Sequence, residues 1–336
     1  MTRLASALRR AAPQLACLAI ILFLNWLAFP GFFNLRLQDG RLFGSLIDVL
    51  NRGAPVAILA IGMTMVIATK GVDLSVGAVM AMAGATAATM IVGGHALPLV
   101  VLAALGVGIA CGLLNGFLVS VLALQPIVAT LILMVAGRGI AQLITEGVIV
   151  TFNHPGLIAF SAGSFLGFPM PVIIAAVLLA LTVLAVRRTA LGMLIESIGI
   201  NQSASTYAGI NSKLLLVVVY AFCGFCAALA GIIAAADIRG ADANNSGLWL
   251  ELDAILAVVI GGTSLMGGRF SVLMSVLGAL IIQAMNTGIL ISGFPPEYNL
   301  IVKACAIIVI LLAQSASLGA LFIRRARHPV EKAPQA

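Results

Sequence analysis

The chain has 336 residues, 62% of them hydrophobic and only 9% charged, with a mean hydropathy of +1.18. Soluble domains carry roughly 25% charged residues, so a water-soluble enzyme is excluded, and Gly and Pro dispersed through apolar sequence exclude disorder and collagen-like repeats. The net charge of +7 has no folded basic domain to form a nucleic-acid surface, which leaves an all-α polytopic membrane protein whose positive charge sets its orientation.

A helix crosses the hydrocarbon core with about 20 apolar residues. Uncharged runs of that length predict ten spans, near 15–30, 52–69, 74–93, 97–122, 126–145, 171–186, 214–236, 249–266, 270–292 and 299–322. The first has a basic start and an apolar core but no cleavage site leading into a soluble domain, so it is read as a retained span. Between Ala96 and Gly137 no residue is charged, and Gln125-Pro126 divides that run because Pro starts helices well. Ten spans place both termini on one side. Arg3, Arg9, Arg10, Lys70, Arg187, Arg188, Lys213, Arg269, Arg324, Arg325, Arg327 and Lys332 fall on that side, against Arg36, Arg41, Arg52 and Arg239 on the other, so both termini are expected in the cytoplasm. Residues 1–322 then form a single transmembrane domain and 323–336 a basic cytoplasmic tail. An inverted repeat of five spans would not align spans two and three with eight and nine, so these two segments by themselves are not read as a repeat.

Charges inside apolar sequence are costly and mark function by default. Asp73, in ATKGVDLSVGAVMA, either lines a polar cavity or caps the following helix together with Ser75. Glu251 and Asp253 enter the eighth span, whose apolar stretch is short and ends at Gly261, Gly262, Gly267 and Gly268. That pattern reads as a broken helix beside a transport pathway or as close packing and a tight turn. Asn115, Arg138, Gln142, Gln283, Asn286 and Lys303 are scattered polar groups that could bond a passing sugar or join helices. Of these, Asp73, Asn115 and Asn286 are the candidates for the pathway. Cys17, Cys111, Cys223, Cys226 and Cys305 lie in apolar sequence and are read as packing residues. His95, His154 and His328 have no partner at metal-ligand spacing, so no metal is expected.

The loop from Arg187 to Lys213 is the longest on the basic side. Leu191, Leu194, Ile195 and Ile198 recur at helical spacing, as Ala204, Tyr207 and Ala208 do before Gly209, which suits either a helix lying on the membrane or a docking helix for a cytoplasmic partner. There is no phosphate-binding loop, nucleophile elbow or His/Cys cluster, so hydrolysis of ATP is expected in a separate chain.

GVDLSVGAVMA (71–81), TALGMLIESIGINQSASTYAGI (189–210) and AVVIGGTSLMGGRFSVLMSVLGAL (257–280) resemble the permease subunits of bacterial ABC sugar importers of the ribose, arabinose and galactose branch. The resemblance runs from about residue 40 to 315. RLFGSLIDVLNRGAPVAILAIGMTMVIAT (41–69), VATLILMVAGRGIAQLIT (128–145), DIRGADANNSGLWLELDAILAVVIGG (237–262) and MNTGILISGFPPE (285–297) resemble the galactofuranose-importing members of that branch. Lys70 departs from the pattern, standing where Gly or Ser is expected, and leaves open which side that turn faces. The resemblance implies the ABC importer permease fold in the bacterial inner membrane and no cofactor in this chain, with ATP and Mg bound by a partner ATPase. It also implies a periplasmic sugar-binding protein, a second permease chain (a homologue or another copy) and a monosaccharide substrate. In the loop 187–213 it assigns ATPase coupling to Glu196, Gly199, Asn201, Ala204, Ala208 and Gly209. Asp237, Asp242, Asn244 and Asn245 are then candidates for contact with the binding protein, or simply a solvated loop. The rival is an ion-coupled secondary sugar carrier working through Asp73, Glu251 or Asp253.

Overall fold

The structure, a computed structural model, describes residues 2–38 and 40–293, together with 300, 301, 304, 305 and 308. The expected tenth span and the basic tail lie outside the described residues apart from those few. In chain order the elements are α1 (Thr2–Ala28), the hairpin β1 (Arg36–Gln38) and β2 (Arg41–Phe43), α2 (Ser45–Ala68), α3 (Val76–Val92), α4 (Leu97–Ser120) and α5 (Pro126–Ile144). Then come β3 (Val150–Thr151), α6 (Pro155–Ala162), β4 (Ser164–Phe165), β5 (Phe168–Pro169), α7 (Met170–Arg188), α8 (Leu191–Ile200) and α9 (Gln202–Tyr207). Last are α10 (Ser212–Ile238), β6 (Gly240–Ala241), α11 (Leu250–Ile260) and α12 (Val272–Ile291). Seven of these helices, α1, α2, α4, α5, α7, α10 and α12, are long and apolar enough to cross a membrane. Prolines open α4, α5 and α7 within their first two positions, where the missing N–H costs nothing.

The bundle has two ends. One carries the β1–β2 hairpin, which joins the loop before β5 through Leu42 N–H donating to the Gly167 carbonyl at 3.0 Å, and the β3–β6 pair. The other carries α8 and α9. We call them the hairpin face and the α8 face. Helix α2 runs from the hairpin face to the α8 face, and α10 runs back.

Small residues let the central helices meet backbone to backbone, the main source of packing energy where lipid is as apolar as leucine. Gly108, Gly112 and Gly116 line one stripe of α4 and lie against Gly224, Tyr220 and Val217 of α10. Gly62 of α2 crosses α10 at Cys223 and Cys226, which a Cβ there would meet at 3.0 Å. Both thiols are buried and free, in agreement with a packing role.

The order of packing relates two halves of the chain. Helix α10 carries α3 and α4, and α2 carries α11 and α12. Since α2 and α10 run in opposite directions, α2–α4 and α10–α12 pack as oppositely directed halves that cross at Gly62. The matching registers are Gly71, Leu74, Ala78 and Ala81 in the first half and Gly247, Leu250, Ala254 and Ala257 in the second. Counted in spans the relation is an offset of five, α2, α3 and α4 against α10, α11 and α12.

The eighth span differs from the helix expected over 249–266. Its helical part is α11, 11 residues long. At 1.5 Å per residue that is about 16 Å, half a hydrocarbon core. The rest of the expected span, from Gly261 on, is a turn, and before α11 lies the irregular segment 239–249, which breaks at Arg239 and Trp249, both with left-handed φ (52° and 67°). Gly247 in this segment lies against Gly77, near the start of α3, so the chain descends from the hairpin face along α3 before α11 begins.

Candidate functional site

Three groups of residues occupy the places where the inverted halves meet each other and the α8 face. In the first, the turn after α2 buries Asp73. Its Oδ1 accepts from the Ser75 backbone N–H at 2.9 Å and the Ser75 hydroxyl at 2.6 Å, with Asn115 Nδ2 of α4 at 3.5 Å. Asn115 Nδ2 also donates to Ser75 Oγ at 2.9 Å, and the Cys223 thiol of α10 reaches the same carboxyl. Asp73 holds the start of α3 through Ser75, the second of the two readings weighed for it, and it is the centre of a buried polar knot tying α3, α4 and α10. Asn115 Oδ1 and the hydroxyl of Tyr220, which lies against Gly71, are buried with no partner among the described residues. Asn286 is on α12, which packs on α1, α2 and α11, and it makes no bond to this knot.

The second group holds the descending segment of the eighth span. Arg138 of α5 donates from Nη1 to the carbonyls of Ala243 (3.0 Å) and Ser246 (2.6 Å) and lies within electrostatic reach of Glu251 and Asp242. Gln142 Nε2, one turn further along α5, donates to Asn244 Oδ1 at 2.6 Å. Asp242 accepts from the backbone N–H groups of Asn244 and Asn245 and from Asn245 Nδ2 at 2.8 Å. The Asn245 side chain, followed by those N–H groups, holds the Asp242 carboxyl below its ordinary range. Glu251 and Asp253 are buried in the first turn of α11, where carboxylates suit the positive end of the helix dipole. Asp237 points elsewhere. It accepts from Ser161 Oγ at 2.8 Å and lines a cavity of about 200 Å³ on the hairpin face with Arg41, Asp48, Asn51 and Arg239. The four residues considered for binding-protein contact are therefore split between a folded loop (Asp242, Asn244, Asn245) and a neighbouring cavity (Asp237).

The third group lies at the α8 face. Asn201 Oδ1 accepts from Ala204 N–H and caps α9, and Asn211 caps α10 in the same way, which is why this polar loop folds as two short helices. Gly199 is pressed on the carbonyl of Ala68, the last residue of α2, which also accepts from the Gly268 N–H at 2.9 Å. Lys70 Nζ donates to the Ile200 carbonyl at 3.0 Å. The turn whose side was open therefore faces α8. Glu196 is half-buried, Ala204 and Ala208 are exposed, and Gly209 turns the chain with φ +87°. Away from the bundle, α8 and α9 expose Met193, Ile200 and Tyr207, the last 93% accessible.

Reading the residues alone left Arg138 among scattered polar groups and gave Lys70 no role. The partners of both are main-chain carbonyls remote in sequence, which no side-chain motif announces. The internal Gly-x-x-Leu-x-x-x-Ala match was the signal that could have paired the two broken segments.

Comparison with known proteins follows this geometry. A family model described as branched-chain amino acid transport system / permease component matches residues 45–311. The galactofuranose transporter permease protein of Escherichia coli is 65% identical over 90% of this chain and 89% of its own length. A fructose import permease protein of Bifidobacterium longum is 45% identical over 88% of this chain and 84% of its own. The ribose import permease protein of E. coli is 38% identical over 90% and 92%. No solved structure matches the chain.

Proposed function

The chain belongs to the family of branched-chain amino acid transport system permease components, and from that premise we propose that it is the membrane-spanning permease subunit of an ATP-driven bacterial importer for a monosaccharide, galactofuranose. The family description names amino acids, but the relatives above, at 65%, 45% and 38% identity, are named for sugars, and the sugar reading follows them. The protein is a transport subunit in the inner membrane, and its own residues perform no covalent chemistry.

The observation that carries the reading is the α8–α9 platform. It is held on the end of α2 by backbone contacts yet turns Met193, Ile200 and Tyr207 outward. A carrier that works alone has no use for such a surface, whereas a chain driven by a separate ATPase needs one. Glu196, Gly199, Asn201, Ala204, Ala208 and Gly209 form that platform, the last five by building and seating it. The excess of basic residues on that side supports an α8 face in the cytoplasm and a hairpin face in the periplasm. A sugar-binding protein would meet the hairpin face near Asp237, Asp242, Asn244 and Asn245, and a second permease chain, homologous or identical, would complete the pathway. ATP and Mg belong to the ATPase.

Movement of sugar would re-lay the irregular segment before α11 about the Asp73 turn. Asp73 and Asn115, at the knot between α3, α4 and α10, and Asn286 on α12 are the polar groups offered to hydroxyls in transit. The unpartnered oxygens at Asn115, Tyr220 and Asn286 are where such a hydroxyl would find a partner. Coupling exists because ATP favours one arrangement of the ATPase pair over another, a difference that shifts the permease only through differential contacts.

The test is purification of the tagged chain in mild detergent with identification of its partners, followed by uptake of isotope-labelled sugars. An ATPase and a second permease chain should co-purify. Uptake should be lost without the ATPase, persist with an uncoupler and be competed by galactofuranose. Uptake that ignores ATPase loss and collapses with the uncoupler would establish an ion-coupled carrier instead.

A further inference from the structure

Lys70 is the one residue of the turn after α2 with a left-handed backbone (φ 64°), a conformation that disfavours an ordinary side chain. It closes the end of α2, where the Lys70 N–H donates to the Ile67 carbonyl and the Gly71 N–H to the Val66 carbonyl, both at 3.0 Å. That fixed backbone aims the side chain at α8. The Lys70 stem lies across Gly267, which has no room for a Cβ, and its ammonium donates to the carbonyl of Ile200, the last residue of α8. Two helix C-termini meet at this point. The final carbonyl of α2, on Ala68, is taken by the Gly268 N–H and pressed by Gly199, and the final carbonyl of α8 is taken by Lys70. Both ends carry partial negative charge, so an ammonium between them turns a repulsive junction into an attractive one. Three residues further on, Asp73 ties α3 to α4 and α10.

We propose that Lys70 is the positioning residue that joins the docking helix α8 to the Asp73 turn, so that a displacement imposed on α8 is delivered to the start of α3. The proposal rests on the ATP-driven reading above. With the ammonium in place, α8 cannot move against α2 without drawing the turn from Thr69 to Ser75 with it. Without the ammonium, α8 keeps its seat on Ala68 through Gly199 but loses its hold on that turn.

The experiment uses the complete complex, permease with ATPase and binding protein, in liposomes, and measures sugar imported per ATP hydrolysed. Lys70→Met keeps the stem and removes the charge. Lys70→Gly removes the charge and also relieves the left-handed strain, so its folding is secure. Both should retain co-purification and ATP hydrolysis while sugar per ATP falls about tenfold, within the usual range of a coupling between sites. Lys70→Arg should restore the ratio. In hydrogen exchange, nucleotide should alter the amides of residues 71–76 in the unaltered protein and in Lys70→Arg, but only those of α8 in Lys70→Met and Lys70→Gly. An unchanged ratio in Lys70→Gly, or an unchanged response of residues 71–76, would overturn the proposal. Failure of the unaltered complex to hydrolyse ATP or import sugar would instead strike the functional reading beneath it.

Discussion

The two inverted halves solve one structural problem differently. Each must turn from a long central helix, α2 or α10, into a second helix that starts inside the bundle. After α2 the turn is short and closed by side chains. Asp73, Ser75 and Asn115 bond one another, and α3 then runs for 17 residues. After α10 the chain descends through an irregular segment held by its own carbonyls on Arg138, and α11 has only 11 residues. Hydrogen bonds to backbone carbonyls from one cation can be exchanged one at a time, whereas a buried carboxyl in a three-residue knot cannot lose one partner without stranding the others. The first half is thus built as a fixed hinge and the second as the part that can be re-laid, with Gly77 and Gly247 at their contact.

The largest effect should come from forcing the halves apart. A Cβ at Gly77 would collide with the Glu251 carboxylate and the Gly247 carbonyl, and one at Gly247 would collide with the Gly77 carbonyl in a left-handed backbone. Gly77→Val should lower stability by at least about 3 kcal/mol, because overpacking against main chain has no side chain to yield. Thermal unfolding in detergent would report it. A variant as stable as the parent would mean that the halves are loosely apposed and the comparison is wrong.

Releasing the second half while leaving the first intact comes next. Arg138→Met strands the carbonyls of Ala243 and Ser246 after removing two charge-assisted bonds, each worth about 1.5–3 kcal/mol. Hydrogen exchange should rise across 242–250 and stay unchanged across 71–76, and sugar uptake should drop about tenfold or more, the consequence of roughly 1.4 kcal/mol or more lost from the working conformation. Equal loosening of both segments would show that they are one cooperative unit.

How much of this was legible in the sequence follows from which interactions have a local signature. Apolar length located α1–α5, α7, α10 and α12, because hydropathy integrates over a whole span and prolines at 98, 126 and 171 mark three of the starts. The helices of the 187–213 loop were legible from Leu191, Leu194, Ile195 and Ile198, and Asp73 from its charge. The end of the eighth span was legible at its glycines, since α11 stops at Ile260 and Gly262, Gly267 and Gly268 turn with positive φ. The irregular segment before α11 was not, because it turns at Arg239 and Trp249, residues with no intrinsic taste for left-handed backbone. Arg138 looked like a stray polar group because its partners are carbonyls, which every residue has. Gly199 and Asn201, expected to face a partner, serve first as a backbone seat and a helix cap.

The fixed hinge can be tested at its weaker member. Asn115→Leu would leave the Ser75 hydroxyl and the Asp73 carboxyl each short of one buried partner, at a cost of about 1–3 kcal/mol. Asn115→Asp would place a second carboxyl beside the first and should be worse than leucine, since like charges in a buried site oppose one another. Denaturation of the purified chain distinguishes them. Leucine more disruptive than aspartate would mean that the knot contributes packing and not hydrogen bonding.

The smallest effect is expected where the second half meets solvent. The Asp242 carboxyl is held below its ordinary value by the Asn245 amide and the N–H groups of Asn245 and Asn244. A carboxyl with a depressed folded-state pKa contributes stability that is complete above its unfolded value, about 3.9, and is lost as pH falls through the folded one. Protection of residues 242–249 against exchange should therefore be flat from neutral pH to about 5 and decline below about 4. Because the group is largely exposed, solvent screening keeps the change to the loop and spares the fold. Asp242→Asn should flatten the decline, with Asn244 and Asn245 still exposed at the tip. A decline that survives in that variant would detach the loop's order from its own turn.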